Sequence, residues 1–206
     1  MKLYYAPGAC SIGIHVLLEE IGKPYESVAV NLRQGEQFQT GFTSVNPKSK
    51  VPTLVRDDGS VLTEFPAIAY WLARTNPVAK LLPDDVDAQT RALEAMDYAV
   101  ATIHMQGASR LFRPSNYSPS ASDEDAVKAR GKEIFEKGLA TLDKALAGKD
   151  YIAGAFSIAD AAVFYVEFWA AKPLGLALPA NCQAHFDRTM ARPAVQRTLQ
   201  AEGLAA

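Results

Sequence analysis

Only two cysteines occur in 206 residues, which excludes a disulfide framework. Cys10 and Cys182 are far apart and differ in setting, so a reduced compartment is the simpler reading. Long apolar runs are missing as well: nothing approaches the roughly 20 residues that a bilayer span requires. So is a surplus of either charge. A net charge of −2 gives no electrostatic reason to expect nucleic acid or an anionic membrane surface as partner. The three histidines share no ligand spacing, and Cys182 with His185 is a lone pair, so no metal site is expected. No phosphate loop, dinucleotide fingerprint or serine-hydrolase elbow is present. The N-terminus reads as a strand rather than a charged segment followed by an apolar stretch. No secretory signal is therefore expected, and a cytoplasmic location is. What remains is an ordinary globular composition, 49% hydrophobic and 21% charged, in a chain that suits one large domain or two small ones.

Within that background Cys10 is the most informative residue. It stands in KLYYAPGACSIGIHVLLEEIG, where Lys2–Tyr5 reads as a strand, Pro7-Gly8 as a turn and Cys10–Ile21 as an apolar-periodic helix. A sulfur at a helix start lies beside unpaired backbone N–H groups and the positive end of the dipole, both of which favour thiolate. The bland alternative is a small buried hydrophobe.

The chain has two grammars. Residues 1–76 alternate strands and helices. Ser27–Leu32 reads as a strand, Gln34–Ser44 as an irregular helix or loop, and Val51–Val55 and Ser60–Thr63 as strands around an Asp57-Asp58-Gly59 turn. Pro66–Arg74 reads as a helix opened by proline. The crossover helix implies parallel pairing in the first unit, and the hairpin antiparallel pairing in the second. Residues 77–87 form a linker rich in Pro and Asp. In 88–206, Ala88–Leu111, Asp123–Ala147, Ile158–Ala170 and Ala180–Met190 carry helical spacing, and no strand is expected. Ser157-Ile158-Ala159-Asp160 has capping-box spacing, a folding signal rather than a catalytic one.

This order of elements, with Cys10 opening the first helix, resembles the glutathione S-transferases. The similarity covers essentially the whole chain, through PGACS (7–11), VNPKSKVPTL (45–54), DDGSVLTE (57–64), PAIAYWLA (66–73), LFRP (111–114), YIAGAFSIADAAVF (151–164) and RPAVQ (192–196). PGACS is most similar to the bacterial beta class. The resemblance implies an α/β thioredoxin-like N-terminal domain that binds glutathione, followed by an all-α C-terminal helical domain that lines a second-substrate pocket. It also implies a homodimer, glutathione as co-substrate and no tightly bound cofactor.

It further implies site residues. Val51-Pro52 would be a cis turn whose backbone pairs with the extended tripeptide, a small case of strand addition. Glu64 and the backbone of Phe65 would receive the zwitterionic γ-glutamyl end, with Phe65 standing where relatives have Ser or Gly. His104 matches a histidine facing the cysteine. Asp97, seven residues earlier and on the same face of an ideal helix, falls where relatives have an asparagine near the glutathione backbone, so Asp97 and His104 are both expected beside glutathione. Met105 replaces a lysine of relatives. Ser11 is an expected extra donor to the reacting sulfur, with Tyr5 a weaker one. Phe112, Tyr165 and Trp169 are expected around the second substrate. His15 reads as a packing residue and His185 as a surface or packing residue.

Three functions follow. The first is conjugation of glutathione to electrophilic apolar molecules, with Cys10, His104 and Ser11 as catalytic candidates and detoxification as the broad role. The second is monothiol glutaredoxin-like exchange through Cys10, since Gly13 stands where a resolving cysteine would be. The third is non-catalytic binding of apolar ligands.

Overall fold

The computed structural model describes residues 1–205. Its residues group into two compact units: Met1–Leu82 together with the segment from Arg188 onward, and Pro83–Asp187.

In the first unit β1 (Lys2–Tyr5) buries Leu3 and Tyr5 and turns Lys2 and Tyr4 outward, the alternation expected of a strand. Helix α1 (Ser11–Ile21) crosses to β2 (Glu26–Ala29), which pairs parallel to β1. Gly22 ends α1 at φ 70°, its N–H returning to the Leu18 carbonyl at 3.0 Å. β2 stops short of the expected Leu32. Asn31 accepts from the N–H groups of Arg33 and Gln34, both at 3.2 Å, and this turns the chain into a short 3₁₀ segment. A short α2 (Thr40–Thr43) follows. β3 (Thr53–Val55) then pairs antiparallel with β1 and with β4 (Val61–Thr63), giving the order β2-β1-β3-β4. β3 begins two residues later than expected because Val51–Pro52 is a cis turn. Helix α3 (Phe65–Thr75) has proline in its first turn.

In the second unit α4 (Val86–Asp97) runs into a π-helical stretch, Tyr98–Ala108, and then α5 (Ser109–Phe112). The expected helix Ala88–Leu111 is therefore present as one rod whose middle is wound differently. The rod crosses α6 (Glu124–Leu146) closely enough to require glycine. A Cβ on Gly138 would lie 2.5 Å from Ile103 Cγ1, and one on Gly131 would lie 2.7 Å from Arg110 Cβ and 2.9 Å from the Gly107 carbonyl oxygen. Helix α7 (Ile158–Ala171) is buried on every side from Ile158 to Ala170, as an all-round apolar helix must be. Its capping box forms: Ser157 Oγ accepts from Ala159 N–H at 3.3 Å, and Asp160 accepts from Ser157 N–H at 2.8 Å. Outside the sheet, the described residues hold one isolated bridge, Ala153 to Ala155.

In helix α8 (Ala180–Met190) His185 takes the packing alternative: it is buried, its Nδ1 2.8 Å from Glu167 and its Nε2 3.2 Å from Asp160. Burial by itself would lower the His185 pKa, but hydrogen bonds from its ring to the carboxylates of Asp160 and Glu167 push it up to about 9. Burial pushes Glu167 up despite its bond to His185.

Helix α9 (Pro193–Ala201), unrecognised as a helix in the sequence, packs on α1 in the first unit. Residues 188 onward, expected with the helical domain, group here because ion pairs tie them to α1. Arg192 meets Glu20 at 2.6 Å, and Arg197 meets Glu19 at 2.6 Å.

Candidate functional site

The first unit carries a constellation built around the start of α1. Cys10 is the N-cap residue and is half-buried, and its thiol donates to the Val51 carbonyl at 3.5 Å. The turn that presents it is closed by Ala9 N–H to Ala6 carbonyl, 3.0 Å, and Ile12 N–H to Ala9 carbonyl, 2.9 Å. Ser11 is fully buried. Its hydroxyl accepts from Ala6 N–H at 3.1 Å and is directed at the Ala6 carbonyl at 3.3 Å. A hydroxyl has a single proton to give, so the expected donation from Ser11 to the sulfur is replaced by a lock on the turn. Tyr5 is likewise occupied: its hydroxyl points to the Ala201 carbonyl at 3.4 Å, and burial, with Glu202 nearby, raises its pKa.

Val51–Pro52 is cis. The Val51 N–H has no hydrogen-bond partner among the described residues, so it is available to an extended backbone. Asn46, almost wholly buried, organises the approach. Its amide donates to the Lys50 carbonyl and to Thr53 Oγ1, both at 2.8 Å. At the head of α3, Glu64 adopts φ 68° and is exposed, while Phe65 is buried and begins the helix. A non-glycine residue in the left-handed region is a strained choice held by its surroundings.

Glu202 went unnoticed in the sequence. It is 5% exposed, with one oxygen 2.8 Å from His15 Nδ1 and the other accepting from Gly8 N–H at 2.9 Å. The carboxylate thus holds the Pro7-Gly8 turn from a position 194 residues away. His15, read as packing, is buried but also paired through Glu202. No local signal could have revealed either partner, because their contact is entirely long-range.

The second unit carries an aromatic group. The half-buried His104 has its ring 4.7 Å from Trp169 and 5.7 Å from Tyr165, both near-perpendicular, and its Nδ1 lies 3.3 Å from the Tyr165 hydroxyl. Phe112 meets Trp169 edge-on at 5.4 Å. His104, Tyr165, Trp169 and Phe112 thus lie together in this unit. Asp97 does not join them. It is exposed, at the point where α4 gives way to the π stretch, whose N–H groups bond five residues back. Among the described residues no cluster of His, Cys, Asp or Glu is arranged to hold a metal ion.

Residues 8–75 match the model of the glutathione S-transferase N-terminal domain, and residues 125–197 match that of the C-terminal domain. The chain is 38% identical to glutathione S-transferase GstA of Escherichia coli O157:H7, over 99% of its own length and 100% of that protein's. The chain belongs to the glutathione S-transferase family. It is also similar to the bacterial beta class glutathione S-transferase of Sphingomonas chungbukensis, at 34% identity, with a TM-score of 0.86 and full coverage of both chains. A sphingomonad glutathione S-transferase solved as its glutathione complex matches at 36% identity, with a TM-score of 0.83 and the same coverage. The small mixed sheet with helices followed by a helical unit is the architecture of this family.

Proposed function

We propose that this glutathione transferase joins the sulfur of glutathione to an electrophilic carbon of an apolar molecule. The observation that carries the reading is the constellation of Cys10, the cis Val51–Pro52 turn and the head of α3 within one unit whose relatives include a glutathione complex. The free backbone N–H of Val51 supports strand-like pairing with the tripeptide, and exposed Glu64 supports reception of its γ-glutamyl ammonium. In the reaction the glutathione thiolate attacks the carbon, an S–C bond forms, and the leaving group departs with the electron pair of the broken bond. The enzyme's contribution is to hold the thiolate and place it. Cys10 lies in the electropositive start of α1 and is our candidate for that work. His104, Tyr165, Trp169 and Phe112 are candidates for holding the apolar substrate.

We further infer a beta-class enzyme acting as a homodimer in the cytoplasm, in detoxification. No helix among the described residues is long and apolar enough to cross a membrane. The test is conjugation of glutathione to a chloronitrobenzene-type acceptor across a glutathione titration, with Cys10→Ala in parallel. Saturable turnover in both proteins supports a transferase that activates glutathione by hydrogen bonding. Turnover lost only in the variant places Cys10 in the mechanism. Neither turnover nor saturation in the wild type overturns the proposal.

A further inference from the structure

The carboxylate of Glu64 already holds an ammonium. Lys48 Nζ lies 2.9 Å from Glu64 Oε1 and 2.9 Å from Thr63 Oγ1, at the end of β4. Its delivery there is built in: buried Asn46 accepts from the Lys48 N–H at 3.0 Å while its amide group fixes Lys50 and Thr53. The loop that ends in the cis turn therefore carries a cation onto the group proposed to receive the cation of the ligand. Both side chains are more than half exposed, at 54% and 56%, so the pair is weak and the long lysine stem can swing its charge into water.

We propose that Lys48 is the resident counter-ion of Glu64 and that glutathione binds by exchange, its γ-glutamyl ammonium displacing that of Lys48. Lys48 is then a determinant of affinity: it lowers the affinity of any ligand that must vacate it. This rests on the reading that Glu64 receives the γ-glutamyl end. A carboxylate can accept from several donors, but two ammonium groups sharing it repel each other. The stronger occupant is the one that also makes backbone contacts elsewhere. Because an exposed ion pair contributes little, the penalty is modest, on the order of two- to five-fold in Kd.

The test is calorimetric titration with glutathione and with a glutaryl analogue lacking the α-ammonium. The proteins are the wild type, Lys48→Met, Lys48→Arg, Glu64→Gln and the double variant Lys48→Met/Glu64→Gln. Lys48→Met should tighten glutathione by about two- to five-fold without changing the Tm, and Lys48→Arg should restore the wild-type Kd. The gain should vanish both for the analogue and in the Glu64→Gln background. Equal or weaker binding of glutathione by Lys48→Met overturns the exchange, as does an equal gain for the analogue. Absence of glutathione binding by the wild type overturns the glutathione reading itself, and this inference with it.

Discussion

Replacing Glu202 by alanine should destabilise the first unit out of proportion to its distance from Cys10. The carboxylate is buried and serves two groups on opposite sides, His15 Nδ1 at 2.8 Å and the Gly8 N–H at 2.9 Å. Hydrogen bonds to a charged group contribute about 1.5–3 kcal/mol each, and removing one member of a buried pair costs about 3–5 kcal/mol because its partner stays buried without it. His15 has no slack to absorb the loss, since its Nε2 is itself buried without a partner. A deficit of about 3–5 kcal/mol is a large share of the roughly 5–15 kcal/mol that holds a typical protein folded. Urea unfolding of wild type and variant, with the slope m checked for constancy, measures it. Arg197→Ala supplies the contrast. It removes a pair with Glu19 in which the arginine is 52% exposed, and should cost no more than about 1 kcal/mol. The turn held by Glu202 presents Cys10, so Cys10 should also react faster with an aromatic disulfide reagent in Glu202→Ala; Cys182 is fully buried and will not obscure the reading. A loss below about 1 kcal/mol, or one equal to that of Arg197→Ala, would refute the reasoning.

Gly131→Ala should cost about 1–3 kcal/mol in thermal or urea unfolding, because the new methyl meets the Gly107 carbonyl at 2.9 Å and overpacking there moves backbone; Gly41→Ala, with nothing within 4 Å, should be close to neutral. His185 is held at about 9, above its unfolded value near 6.5, so its stabilising contribution is complete below pH 6.5 and is lost as pH rises through 9. The urea midpoint should fall across that window in the wild type, and His185→Asn, less stable at pH 6.5, should show a flatter profile. Trp169→Leu should raise the KM for the apolar substrate in the conjugation assay more than it raises the Kd for glutathione, because the ring packs on Phe112, Tyr165 and His104, the group proposed to hold that substrate.

Much was written in local pattern. β1, α1, the Asp57-Asp58-Gly59 hairpin, the proline-opened α3, the capping box of α7 and the span of α8 depend on period, turn chemistry and neighbours a few residues apart, and a linear reading recovers them. Family motifs carried further, naming the cis Val51–Pro52 turn and the neighbourhood of Trp169 with Phe112 and Tyr165. What eluded the sequence depends on groups that meet only after folding. The π winding of residues 98–108 leaves no mark in the hydrophobic pattern, and the close crossing with α6 at Gly131 and Gly138 is a tertiary matter. Ser11 beside Cys10 suggested a donor, and only the folded turn shows its proton aimed at Ala6. Glu202 looks like any C-terminal acid until α9 docks on α1 and water is excluded around it, which turns an ordinary carboxylate into the clasp of the Cys10 turn. Short-range order is set by neighbours in the chain; burial and charge pairing are set by neighbours in space, and those the tertiary structure decided.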